Sequence, residues 1–209
     1  MKIIYSVNHT DPFRMAGRFI VFEGIDGAGK STLVDEVSKR LGMAGLKAVV
    51  TAEPTEGPIG MLIRSGAVKC ISPNAEALLF TADRACHTSE IVRWREEGMT
   101  VLCDRYYAST IAYQSAGLDA GTPEKEWLMD INRPVTVEPD VTILLDIDPE
   151  EGMRRVGERG AKSKYEVAEY LSRVRSNYLE IAGERGFRVI DASRPKDEVI
   201  RETMKILGE

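Results

Sequence analysis

Nine consecutive residues constrain this chain most: Gly24-Ile25-Asp26-Gly27-Ala28-Gly29-Lys30-Ser31-Thr32, between the apolar run Phe19-Ile20-Val21-Phe22 and the amphipathic residues 32–41. The order reads strand, glycine-rich loop, helix. Glycines at 24, 27 and 29 let the backbone curl so that successive N–H groups point inward, and the helix N-terminus adds its partial positive charge. A polyphosphate fits such a cradle. Lys30 would reach the β- and γ-phosphates, and the Ser31 hydroxyl is the expected Mg²⁺ ligand.

The rest of the chain predicts the fold around this loop. Short β-rich runs at 18–23, 48–52, 100–104, 141–146 and 187–191 alternate with helical patterns, which predicts an α/β three-layer fold with a five-stranded parallel sheet flanked by helices. One helical stripe is Val167, Leu171, Val174, Tyr178 and Ile181. A length of 209 residues suits one domain, expected at 17–209, with residues 1–16 as an extension of no assigned function. The tract 154–164, polar, basic and broken by glycines, reads as a mobile segment, and a lid is expected at about 154–165.

Composition narrows the partners. A net charge of −5 gives no general affinity for nucleic acid or anionic membranes, so any positive field must come from clustered Arg and Lys. Cys70, Cys86 and Cys103 lack metal-ligand spacing, and Cys86 and Cys103 read as buried, reduced packing residues. No apolar run approaches a membrane span and the N-terminus has no signal-peptide core, so the cytoplasm is the expected location.

A phosphate loop alone does not separate GTPases, motors and kinases. No Asn-Lys-x-Asp guanine reader is present. Two strands end in an aspartate able to approach Mg²⁺: Asp104, followed by Arg105-Tyr106-Tyr107, and Asp146, followed by Ile147-Asp148-Pro149. Asp104 is favoured because its neighbour Arg105 sets a cation at the carboxyl end of the strand. Asp148-Pro149-Glu150-Glu151 reads instead as a helix cap.

Phe80 and Arg84, four apart on the helical residues 74–97, share a face able to stack on a flat base and bond its edge, or they are a core aromatic and a surface arginine. Tyr106, Thr110 and Gln114 follow at i, i+4 and i+8, with Tyr113 bordering them. Arg64 is ambiguous by itself. His9 and His87 read as surface or packing residues.

These residues together resemble the thymidylate kinase family: 22–32, Glu53-Pro54, Leu78-Leu79-Phe80-Thr81-Ala82-Asp83-Arg84, Asp104-Arg105-Tyr106 and Ser109-Thr110-Ile111-Ala112-Tyr113-Gln114, in family order from Arg18 to near the C-terminus. The resemblance implies transfer of the ATP γ-phosphoryl group to dTMP, with Mg²⁺, by a homodimer. By matching positions, Asp26 would hold the sugar 3′-hydroxyl, Phe80 would stack on thymine, and Arg84 would bond its edge. Thr110 and Gln114 would complete the base pocket, and Tyr106 would crowd the 2′ position. Arg105 and Arg64 would grip the acceptor phosphate, with Glu53 beside them.

Some family members carry an arginine where this chain has Gly27, so the further catalytic cations are expected from the lid, as Arg155 and Arg159. Gly157, Ser163-Lys164 and Ala52 stand where the family more often has an arginine, Asp-Arg and an arginine. The alternatives are a broader pyrimidine monophosphate kinase, a deoxynucleoside kinase with Glu53 as base, and a binding module without turnover. Arg64 and Arg105 argue for an acceptor already bearing phosphate, and Lys30 with the lid arginines argues for turnover.

Overall fold

The computed structural model describes residues 17–66, 72–157 and 164–208, with the side chains of 164–166 excepted. The extension 1–16, His9, Cys70, Arg159 and Ser163 lie outside the described residues.

Five strands form one parallel sheet: β1 (Phe19–Glu23), β2 (Ala48–Ala52), β3 (Thr100–Asp104), β4 (Val141–Asp146) and β5 (Arg188–Asp191), in the order β2-β3-β1-β4-β5. Residues of both parities are buried along β1, and along β3 and β4 up to their ends. Alternating side chains point to opposite faces, so both faces of the sheet are covered. The edge strands are more open, with Val50 and Val189 about half exposed.

The covering helices are α1 (Lys30–Met43), α2 (Pro58–Arg64), α3 (Pro73–Glu96), α4 (Tyr107–Gln114), α5 (Lys125–Asn132), α6 (Pro149–Val156), α7 (Lys164–Arg185) and α8 (Lys196–Leu207). The predicted strands hold, apart from later starts at Phe19 and Arg188. In α7, Leu171, Val174, Tyr178 and Ile181 are buried and Val167 packs against them, as the period requires. Among the described residues no helix is long and apolar enough to cross a membrane.

Two expectations need correction. Cys86 lies on α3 but faces outward, because the buried face there runs through Asp83, Arg84 and His87; Cys103 is buried as expected. Arg154 and Arg155 belong to the last turn of α6 rather than to a loop. Asp148 caps that helix by accepting the Glu150 N–H at 2.9 Å, Pro149 occupies its first turn, and Glu150 and Glu151 face the positive end of the dipole. Arg154 and Arg155 suit the negative end, and Gly157, at φ 70°, stops the helix.

β1 is the strand from which the chain crosses over β3 to reach β2, so the carboxyl ends of β1 and β3 lie side by side where the strand order reverses. Ligands bind at such a switch point in open α/β sheets. Phe22 is in register with Asp104, which brings the glycine loop against Asp104 and Arg105.

Candidate active site

The loop leaves β1 through Gly24 (φ 141°) and enters α1 through Gly29 (φ 91°). At Gly27, with φ 82°, an added Cβ would stand 2.1 Å from the Gly152 carbonyl oxygen. Loop and α6 meet backbone to backbone there, which leaves no room for an arginine at this position. Lys30 is 6% exposed, and its Nζ donates to the Ile25 carbonyl at 2.9 Å. Burial lowers its pKa to about 8, with help from the Arg105 charge and against Asp104, Asp26 and Glu23.

Ser31 donates its hydroxyl to Asp104 Oδ2 at 2.7 Å, while Asp104 Oδ1 is buried without a hydrogen-bond partner. That orphaned acidic oxygen beside a hydroxyl fits a divalent cation completed by water and phosphate. Among the described residues no cluster of three acidic, His or Cys side chains offers a protein-only cage. Asp146 is engaged elsewhere, holding Arg175 through two bonds of 2.6 and 2.8 Å.

On the donor side, Ala28, Gly29 and Thr32 line a cavity of about 240 Å³ with Arg155, Arg194 and Lys196. Arg155 donates to the Ala192 carbonyl at 3.0 Å and to Glu151 at 2.9 Å. It therefore flanks the loop on the side of Ala28, Gly29 and Thr32 and does not line the pocket that holds Arg105.

A second pocket, about 370 Å³, opens on the other side of the loop. Asp26, Arg105 and Tyr113 form one end of it, and Phe80, Arg84, Thr110 and Gln114 line its length. Arg105 Nη2 donates to Asp26 Oδ1 at 2.6 Å, and its guanidinium lies 5.1 Å from the Tyr113 ring centroid. Arg84 is 1% exposed and fully engaged at one end: Nη2 donates to Glu53 Oε2 at 2.6 Å and to Thr110 at 2.9 Å, and Nη1 donates to Asn132. Its Nε is buried and unpartnered, a donor left over beside the pocket.

Tyr106 and Arg64 have further partners. Tyr106 is 1% exposed, its hydroxyl accepts the Val137 N–H at 3.1 Å, and its ring packs under Arg84 at 5.4 Å. Its ring lies beside Arg84 and lines the pocket together with Thr110 and Gln114, while Tyr113 packs on Arg105, which holds Asp26. Tyr106 is the extended N-cap of α4, and it still shares the pocket with Thr110 and Gln114 four and eight residues on. Arg64 lines a neighbouring cavity with Ser31 and Asp104, and is bonded to Glu56 and the Pro54 carbonyl. It reaches the acceptor pocket only at its Pro54 edge.

A family model described as thymidylate kinase matches residues 22–203. This chain belongs to the thymidylate kinase family. A protein of Pyrobaculum calidifontis named probable thymidylate kinase is 43% identical over 192 residues, spanning 90% of this chain and 95% of its own. Relatives with the same name in Methanosarcina barkeri (39% over 200 residues, 93% and 98% covered) and Archaeoglobus fulgidus (40% over 190 residues, 90% and 93%) are similar along nearly their whole length.

The family motifs thus meet at one switch point, but several residues that hold them there have no motif. His87 joins Thr51 at 2.8 Å to Glu53 at 2.9 Å, and so braces the carboxylate that holds Arg84. Its position three residues after Arg84 was the available signal. Glu23, 0% exposed, ends an otherwise apolar strand, and a charge in such a run is itself a signal. Burial pushes its carboxyl up, while the Ser109 hydroxyl, the Arg105 charge and the Tyr106 N–H pull it back. Asn132, Tyr170 and Tyr178 reach the site from distant elements; the helical stripe marked Tyr178 only as buried, and no local pattern marked the other two.

Proposed function

We propose that this protein transfers the γ-phosphoryl group of ATP to dTMP, giving dTDP and ADP. The observation that carries the reading is the Asp26–Arg105 contact: the loop suited to a polyphosphate shares a residue with a base-sized pocket floored by Phe80 and Arg84. ATP would occupy the Lys30 side. The monophosphate would lie along Phe80, with its base edge at Arg84, Thr110 and Gln114, its sugar between Asp26 and Tyr113, and its phosphate at Arg105, with Arg64 closing from the side.

An acceptor phosphate oxygen then attacks the γ-phosphorus, and the bond to the bridging oxygen breaks with its electron pair leaving on ADP. Each unit-charge pair near 4 Å repels by about 4 kcal/mol at an effective dielectric near 20, so the approach needs several fixed cations. Lys30 and Arg105 supply two of them from the two sides of the loop. Arg159 is proposed as a further one, and Arg155 as a contact to the donor nucleotide. Ser31 and Asp104, the latter through water, would hold Mg²⁺, which neutralises phosphate charge when bound. Positioning and charge complementarity are the catalysis, and no side-chain nucleophile takes part.

We also propose a homodimer working in the cytoplasm. Leu78, Cys86 and Val92 are exposed apolar positions along α3, which supports a contact between copies on that side. A coupled ADP-release assay with dTMP against a panel of monophosphates and deoxynucleosides tests the reaction. Turnover of dTMP well above the rest is expected, and a better deoxynucleoside substrate would overturn the reading.

A further inference from the structure

The deepest charge near the site is Glu23, whose carboxylate gathers bonds from the start of α4 and from Tyr178 of α7. Oε1 accepts the N–H of Tyr106 at 2.9 Å and of Ser109 at 3.2 Å. Oε2 accepts the Ser109 hydroxyl at 2.6 Å and the Tyr178 hydroxyl at 3.1 Å. Four donors call for an acceptor-only carboxylate. The N-cap of α4, Tyr106, makes no side-chain cap bond of its own. Glu23 performs that task from a different strand, with its charge at the positive end of the helix dipole.

Between Asp104 and that helix start lies Arg105 at φ 72°, which among the described residues is the non-glycine with a left-handed backbone. Such a conformation persists only where the surroundings over-determine it. Here the Arg105 N–H donates to the Phe22 carbonyl at 2.9 Å and the next N–H donates to Glu23, so the end of β1 grips two consecutive peptide groups.

The guanidinium is tied in two directions. Nη1 donates to the Ser109 hydroxyl at 3.1 Å and the Tyr178 hydroxyl at 3.3 Å, and both hydroxyls bond Glu23. Nη2 donates to Asp26, whose side chain is 62% exposed. The exposed bond is one an arriving phosphate can exchange, whereas the buried one is permanent.

We infer that Glu23 is a positioning residue for Arg105: it holds the left-handed turn and, through the Ser109 and Tyr178 hydroxyls, aims the guanidinium at the acceptor phosphate. This rests on the reading of Arg105 as the phosphate grip. Asp26 can then release Arg105 to meet the substrate without the arginine swinging away. In Glu23→Gln the amide oxygen still accepts two N–H groups and the amide nitrogen can donate to the two hydroxyls, so the bond count survives and the charge is lost.

The test is steady-state kinetics of the full chain with ATP and dTMP for Glu23→Gln, Tyr178→Phe, their double variant and Arg105→Ala. Glu23→Gln should lower kcat/KM for dTMP ~30-fold and Tyr178→Phe ~5-fold, with KM for ATP within ~2-fold of the parent. Because Glu23 and Tyr178 act on Arg105 in one relay, their losses should not multiply, and the double variant should match Glu23→Gln within ~2-fold. A Glu23→Gln enzyme with unchanged dTMP kinetics, equal losses on both substrates, or multiplying losses in the double variant overturns the inference. If Glu23→Gln does not fold, Tyr178→Phe decides, and parental dTMP kinetics there overturns the relay. Full activity of Arg105→Ala would instead overturn the phosphate grip itself, which separates the two failures.

Discussion

The low pKa of Lys30 makes donor binding a proton-linked event. With its ammonium buried and hydrogen-bonded to the neutral Ile25 carbonyl, Lys30 has a pKa near 8 in the ligand-free protein. A phosphate charge near 4 Å stabilises the ammonium by about 4 kcal/mol, or about three pKa units, so the complex holds the proton to about pH 11. The donor phosphates are already ionised above pH 8 and contribute no further slope. ATP should therefore bind with uptake of ~0.5 proton at pH 8 and ~0.9 at pH 9, and its Kd should rise ~10-fold between pH 7 and 9. Titration calorimetry in two buffers of different ionisation enthalpy measures the uptake directly. Lys30→Arg, which keeps its charge, should bind with no such uptake. Arg105→Met should move the midpoint upward, since the Arg105 charge is the second cause of the depression after burial. Uptake below ~0.2 proton at pH 9, or an undiminished slope in Lys30→Arg, would refute the reasoning.

Three other outcomes are expected. Arg105→Ala should lower kcat/KM at least ~100-fold with a folded circular dichroism spectrum, since a charge-assisted contact to phosphate is lost; near-parental activity contradicts its role. dUMP should be the poorer substrate by ~10-fold or more, because one methyl in an apolar pocket contributes roughly 1–3 kcal/mol, and equal kcat/KM values would argue against a thymine-shaped pocket. Arg84→Met leaves Glu53 buried without its main partner, so thermal unfolding should show a loss of ~3–5 kcal/mol, or about 6–20 °C, partly recovered in Arg84→Met/Glu53→Leu. A shift under ~2 °C in the single variant would mean the pair is solvated.

Much of this architecture was legible because its signals are local. The loop at 24–32 needs glycine at fixed positions, a strand must precede it and a helix must follow, and all of that lies within about thirty residues. The five strands alternate with helices at the spacing a parallel sheet demands, and Phe80 with Arg84 shares a helix face at four residues' separation. The spacing of Tyr106, Thr110 and Gln114 brings all three to one pocket even though Tyr106 is the N-cap of its helix, while the boundary of the basic tract was less legible, because Arg154 and Arg155 were absorbed into a helix whose cap and dipole matched the charges of its ends.

Taken alone, the sequence of this chain determined the α/β fold, the thymidylate kinase family and the residue types of the candidate site. Tertiary structure decided which side chains hold those residues in place. Glu23 and Tyr178 are 155 residues apart, Arg84 and Asn132 are 48 apart, and Glu53 and His87 are 34 apart. A buried charge takes whatever partners the packing of distant elements brings within about 3 Å, and no spacing along the chain encodes that choice.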